Sequence, residues 1–175
     1  MKQTVVALLL VAAVLKTSAQ DVQPAEKTST GNIGLGLGLD YGGIGGRFSF
    51  LPSSSMALFA GLGYNFRGVG FNGGGIIRLS PKKRICPTLV AMYGYNAVIM
   101  VKNYNFSKTY HGPSFGFGME FHSWHNRKNF FNMELLVPVR SSQFHDDMDA
   151  LKATEFIDIK EPWPVMLSLG YHLGF

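Results

Sequence analysis

From Ile33 the chain alternates with a period of two, large aliphatics at Ile33, Leu35, Leu37 and Leu39 and glycines at 34, 36 and 38. A helix would smear these leucines around its surface, and each glycine would cost it about 1 kcal/mol relative to alanine. The segment therefore reads as a strand with one apolar and one nearly empty face. The same arithmetic recurs down the chain. Phe48 and Phe50 alternate with Arg47 and Ser49, and Met56, Leu58, Ala60, Leu62 and Tyr64 alternate with Ala57, Phe59, Gly61, Gly63 and Asn65. A fourth segment runs from Phe71 to Leu79 with Asn72, Gly74 and Arg78 on its second face. The sixth sets Phe115, Phe117, Met119 and Phe121 against Gly116, Gly118, Glu120 and His122, and the seventh sets Phe131, Met133, Leu135 and Val137 against Asn132 and Glu134. In the eighth, Trp163, Val165, Leu167, Leu169, Tyr171, Leu173 and Phe175 share one face, opposite Met166, Ser168, Gly170, His172 and Gly174. Only the fifth, Ile85 to Val101, is apolar on both faces. Its rival reading is a transmembrane helix, but its 17 residues include Pro87, Gly94 and Asn96, and a helical span needs roughly 20 mainly apolar residues.

Eight strands joined by turn residues predict an all-β, eight-stranded antiparallel up-and-down barrel over residues 31–175. The connections alternate in length. Pro52–Ser55, Ser80–Arg84 and Ser123–Asn129 are short, whereas Asp40–Gly46, Asn65–Gly70, Lys102–Gly112 and Ser141–Pro162 belong to the other end, the last two being the longest.

Two kinds of barrel share this period and differ in which face is outside. A calycin-like soluble barrel turns its apolar face inward around a ligand; a membrane barrel turns it outward and fills its interior with small and polar residues. The second face here is mostly glycine and serine, a poor solvent-exposed surface, since soluble proteins spread charges over theirs. It suits the inside of a narrow tube, because eight strands enclose only enough room for side chains. Leu35, Leu37, Leu58, Leu62, Phe117, Leu135, Leu167 and Leu169 are then expected to face lipid. The charges of the other face, Arg47 and Arg78 against Glu120 and Glu134, with Arg140 near one end, are expected to pair as a lumen network, because buried charges must be paired. A plugged lumen follows, not a water-filled pore.

Composition agrees with this reading. Of 175 residues 15% are charged and 46% hydrophobic, with 21 glycines and 23 aromatics, too apolar for a disordered chain. Lys2, the apolar run Val5–Leu15 and Thr17-Ser18-Ala19 read as a cleaved secretory signal over residues 1–19. Residues 20–30, polar and carrying Pro24, read as a flexible lead-in. Removing the signal lowers the formal charge from +5 to +3, and no arginine-rich stripe interleaved with aromatics is present, so nucleic acid is set aside as a partner. Cys86 is the only cysteine, which excludes an internal disulfide. The scattered histidines supply no zinc ligand set, and no cofactor or metal is expected.

The last strand, Leu169-Gly170-Tyr171-His172-Leu173-Gly174-Phe175, resembles the C-terminal signal that outer-membrane barrels present to their assembly machinery. With the signal peptide, the chain from about residue 31 resembles the small eight-stranded outer-membrane barrels of the OmpA transmembrane-domain and OmpX type. The glycine-rich first strand and Met92-Tyr93-Gly94-Tyr95-Asn96-Ala97 are similar to a porin-like family of Bacteroidota. The resemblance implies the outer membrane of a Gram-negative bacterium, contact with its lipid, and recognition of Tyr171, Leu173 and Phe175 by the barrel-assembly machinery. It implies no particular activity. Some such barrels act on lipid A through a serine, a histidine and an acid, and the nearest match here is His122, Ser123 and Glu134; but His122 and Ser123 are adjacent and so point to opposite faces of a strand, whereas the family pattern spaces them by one residue. His122 and His125 have a spacing that suits a helix face and fall in a turn. Six of the 11 acids, Asp146, Asp147, Asp149, Glu155, Asp158 and Glu161, lie in the longest connection, which reads as a solvated loop with a helical turn around Met148–Ala153 in preference to a calcium loop. The connections 102–112 and 141–162 are the candidates for contact with an extracellular partner. A non-catalytic membrane barrel is the expected reading; a lipid A-modifying enzyme and a secreted calycin-like barrel remain as alternatives.

Overall fold

The computed structural model describes residues 29–101, 106–153 and 162–175; the signal segment 1–19 and most of the lead-in 20–30 lie outside them. Alternation becomes eight strands: β1 (Gly31–Gly38), β2 (Gly43–Ser53), β3 (Met56–Tyr64), β4 (Val69–Arg78), β5 (Ile85–Val101), β6 (Phe106–His122), β7 (Phe130–Pro138) and β8 (Met166–Gly174). Each pairs antiparallel with its neighbours in chain order, and β1 with β8 closes the barrel. Register sets residues of the same face opposite one another. Leu35 lies opposite Gly46 and Tyr171, and Gly36 lies between Gly45 and Gly170.

The large apolar residues point out and the charges point in. Leu35 is 74% exposed, Leu62 62% and Phe117 61%, whereas Arg47 is 1% and Glu134 2%. The interior is not uniformly polar, however. Ala57, Phe59, Ile76, Val90, Met92 and Leu136 form an apolar cluster with Leu39, so only part of the lumen carries the small and polar residues expected of it.

The β1–β2 connection departs most from the expected outer loop Asp40–Gly46. Leu39–Tyr41 form a 3-10 turn folded into the barrel, all three residues at 1% exposure or less, and β2 begins at Gly43. Gly42, left-handed at φ 70°, closes the turn by donating its N–H to the Leu39 carbonyl at 2.9 Å. The glycine face makes room for it. A Cβ on Gly36 or Gly170 would overlap Tyr41, and one on Gly61 would overlap the Asp40 carbonyl.

At the end with the long connections, β5 and β6 run on as a hairpin overhang, 17 residues each. Their pairing continues to Val101 opposite Phe106, so much of the expected loop 102–112 is strand; residues 102–105 lie outside the described residues. The stretch between β7 and β8 holds α1 (Ser142–Lys152), longer than the expected turn. Ser141 caps it, its Oγ accepting from the Phe144 N–H at 3.3 Å. Phe144 and Met148 bury one face of α1 against Ala97, Ile99 and Tyr110 of the overhang, which turns Asp146 and Asp149 outward. Glu155, Asp158 and Glu161 lie outside the described residues.

The two glycine environments make opposite demands. Gly61→Ala, whose Cβ would strike the backbone of the inward turn, is expected to cost about 1–3 kcal/mol. Gly73→Ala points outward, with the nearest atom 3.6 Å from the added Cβ, and is expected to stay within about 0.5 kcal/mol. Equilibrium denaturation of the two variants checks the contrast; equal destabilisation would refute the steric account.

Candidate functional site in the barrel lumen

Arg47 stands on the inner face of β2 and gathers partners from across the tube. Its Nη1 donates to Asp40 Oδ2 and, at 3.0 Å, to Glu134 Oε1. Its Nη2 lies 3.1 Å from His172 Nε2, and its guanidinium sits 5.1 Å from the Tyr41 ring centre and 5.2 Å from that of Phe59. The Asn32 side-chain oxygen accepts from His172 Nδ1 at 2.8 Å, which puts the ring proton on Nδ1 and leaves Nε2 to accept from Arg47. The Tyr41 hydroxyl donates to Asn132 Oδ1 at 2.7 Å and lies 2.5 Å from His172 Nε2. Asn132 Nδ2 in turn donates to Glu134 Oε1 at 3.0 Å, and Ser168 Oγ donates to Asp40 Oδ1. Every residue named here except Phe59 is 2% exposed or less.

A second cluster lies nearer the end with the short connections. Arg78 Nε donates to Glu120 Oε1 at 2.9 Å and Oε2 at 2.8 Å, and His122 Nε2 lies 3.3 Å from Glu120 Oε2. Phe130 separates the clusters. Its ring lies 5.6 Å from the Arg78 guanidinium and stacks on His172 at 4.6 Å with 5° between planes.

Of the five charges expected in the lumen, the structure joins Arg47 with Glu134 and Arg78 with Glu120. Arg140 is elsewhere, beyond the end of β7, with its guanidinium 5.1 Å from the Phe144 ring and Nη2 donating to the Trp163 carbonyl at 2.5 Å. Asp40, Tyr41, Asn32, Asn132, Ser168 and His172 complete the first cluster. Alternation places Asn132, Ser168 and His172 on the inner face, whereas Asp40 and Tyr41 come from the connection expected outside, and the signal for them is the bare glycine face that the turn fills. Leu35, Leu37, Leu58, Leu62, Phe117, Leu135 and Leu167 are exposed on the outside, Leu169 is half-buried there, and Tyr171, Leu173 and Phe175 share their face. His122 and Glu134 have different partners, Glu120 with the Arg127 carbonyl for the first and Arg47 with Asn132 for the second, so they do not assemble with Ser123. The residues of the two clusters are buried and bonded chiefly to one another, while Arg47 Nε and Glu134 Oε2 are buried without a hydrogen-bond partner.

On the overhang, Lys108 Nζ donates to Asp147 Oδ2 at 2.5 Å and the Tyr110 hydroxyl donates to the same oxygen at 2.7 Å. These two hydrogen bonds, that from Lys108 first, hold the Asp147 carboxyl below its ordinary range. They tie α1 to β6.

Comparison with family models, with curated proteins and with solved structures gives no match to this chain.

Arg47→Leu leaves Asp40 and Glu134 facing each other without a cation and is expected to cost about 3–5 kcal/mol. Glu134→Gln keeps a hydrogen-bonding side chain and leaves Asp40 to neutralise Arg47, so a smaller loss of about 1–2 kcal/mol is expected. Denaturant titration ranks them, and a reversed order would sink the network as described. For Asp147 the folded-state pKa is depressed below the unfolded value of about 3.9. Its anchoring of α1 is therefore complete above that value and is lost as the pH falls through the depressed one. Amide protection of α1, corrected for intrinsic exchange, is expected to drop on strong acidification in the native protein and to be low at all pH in Asp147→Asn; protection that ignores both changes would contradict the anchor.

Proposed function

We propose that the chain is an integral outer-membrane β-barrel with a plugged lumen, whose role is structural or one of surface interaction and not catalytic. The observation that carries this reading is the inversion of the barrel. Charged and amide side chains are buried in the middle while large aliphatic and aromatic side chains cover the outside: Ile33, Leu35 and Leu37 on β1, Phe48 on β2, Leu58 and Leu62 on β3, and onward to Leu167 and Tyr171 on β8, each at least half exposed. A contiguous apolar surface of that extent is not sustained by a soluble monomer, whereas lipid is its natural solvent. Strand length supports the same reading. β3, β7 and β8 have nine residues and β4 has ten, against the roughly 9 to 11 that a tilted spanning strand needs. A secreted barrel carrying an apolar ligand would need an open interior; here the inward turn occupies it.

On this reading residues 1–19 are the export signal, Tyr171, Leu173 and Phe175 form the face offered to the assembly machinery, and the β5–β6 overhang with α1 is the surface available to an extracellular partner. Tests follow from the inversion and from the plug. The mature protein is expected to need detergent or lipid for solubility and to migrate differently on gels before and after boiling. In planar bilayers it is expected to show negligible conductance. A mature protein monodisperse in buffer alone would end the membrane reading, and steady nanosiemens channels would end the plugged lumen.

A further inference from the structure

The end of the barrel with the short connections carries a feature that closing the lumen does not require. The β4–β5 turn holds Lys82, Lys83 and Arg84, and the β6–β7 turn holds Trp124, His125, Arg127 and Lys128. The barrel brings these turns into contact. The His122 N–H donates to the Arg84 carbonyl at 2.9 Å, Arg84 Nε donates to the His122 carbonyl at 3.1 Å, and Arg127 Nη2 donates to the Lys82 carbonyl. Among the described residues the turns at this end carry five Lys and Arg and no exposed Asp or Glu side chain; Glu120 is 1% exposed and engaged by Arg78.

Between the turns lies a recess of about 500 Å³ whose walls combine three chemistries. Arg84 supplies charge, with its guanidinium carbon 3.4 Å from the Trp124 ring centre. Ser123 and His125 supply polar groups. Ile85, 52% exposed, and Phe121 supply the start of the apolar belt. Trp124 is itself 84% exposed, an unfavourable setting for an indole in water and a favourable one at a membrane interface. A cationic rim in direct continuity with an apolar wall has the layout of a phospholipid turned inside out: phosphate level with the basic residues, acyl chains along the belt. Basic clusters beside a bilayer attract anionic headgroups by the same physics.

We propose that this end of the barrel binds an anionic phospholipid, its phosphate against Arg84 and the neighbouring lysines and its chains along Ile85 and Phe121. The site rests on the membrane reading above and adds to it a preference among lipids. Lys82, Lys83, Arg127 and Lys128 enlarge the attraction from the rim, while Trp124 holds the Arg84 guanidinium by its ring face and marks the depth of the headgroup. Salt weakens the rim's share of the attraction.

The test uses Trp124 as the reporter. The chain has two tryptophans, so Trp163→Phe leaves Trp124 as the only indole. This variant is folded into phosphatidylcholine vesicles containing a minor fraction of either brominated phosphatidylglycerol or brominated phosphatidylcholine. The apparent affinity of the quenching lipid is expected to be about tenfold higher for phosphatidylglycerol, the scale of one or two basic residues engaging a headgroup, and to become equal for the two lipids when Lys82, Lys83, Arg84, Arg127 and Lys128 are all changed to Gln. Should that variant not refold, Arg84→Gln alone is expected to lower the preference at least about threefold, and an unchanged preference overturns the proposal. Equal quenching of Trp124 by both lipids also overturns it while leaving the membrane reading intact. Absence of quenching by either removes the membrane reading and this site with it. A preference that survives full charge neutralisation places the lipid elsewhere, and one abolished by millimolar inorganic phosphate at constant ionic strength assigns the recess to a free anion; both overturn the proposal.

Discussion

A guanidinium buried to 1% exposure inside a tube eight strands around needs carboxylates beside it, because a buried charge without a partner is costly. Much of the molecule's detail follows from that constraint on Arg47. Glu134 reaches it from β7, and Asp40 reaches it only because the β1–β2 connection turns inward. That turn brings Tyr41 and Leu39 with it, and the three side chains need volume. Glycines at 36, 61, 63 and 170 supply it by leaving the inner wall bare where the turn lies. The glycine alternation that marks β1 as a strand is thus also the mould for the element that fills the barrel.

The same confinement explains why two like cations share one narrow lumen without contact. Arg47 and Arg78 each hold their own carboxylates, and the space between them is taken by Phe130 stacked on His172. The Phe130 ring faces Arg78 and His172 accepts from Arg47, so each cation sees a π face or a lone pair where it would otherwise see the other cation. On the side of Phe59, Ile76, Val90 and Met92 the lumen is apolar and Leu39 packs there. The inward turn is amphipathic in miniature: Leu39 goes to the greasy side, Asp40 and Tyr41 to the polar one.

Strand number, strand pairing and the outward face were legible because a period of two persists whatever the strands enclose. Leu35 and Leu167 needed only their neighbours to be placed. The inward turn was not legible from its own residues. Asp40-Tyr41-Gly42-Gly43 has the chemistry of any exposed connection, and nothing local says on which side of the wall it folds. Arg140 was misplaced for a related reason: alternation continues past the last paired residue of β7, so the pattern assigns it to the lumen although the strand has ended and the arginine reaches Trp163. For α1 the signal was present. Ser141 followed by Phe144, Met148 and Leu151 is a capped helix with one apolar stripe, outweighed by three aspartates, of which Asp146 and Asp149 face outward and Asp147 bonds Lys108 and Tyr110 beside the stripe.

Closure of this barrel needs a source of specificity that its outside cannot provide. Slipping one strand by two residues keeps every large apolar side chain outside and every small one inside, so the alternating pattern alone does not choose between such registers. The lumen does choose. Arg47 on β2 meets Glu134 on β7, and Arg78 on β4 meets Glu120 on β6, pairs drawn from strands that are not neighbours in the wall. A slip of two residues moves a side chain roughly 6 to 7 Å along the strand, beyond the reach of a 3 Å ion pair, and strands a buried charge for each pair it breaks. Neighbouring strands supply the hydrogen bonds of the wall, but it is the bonds across the lumen that distinguish one closed wall from its slipped alternatives.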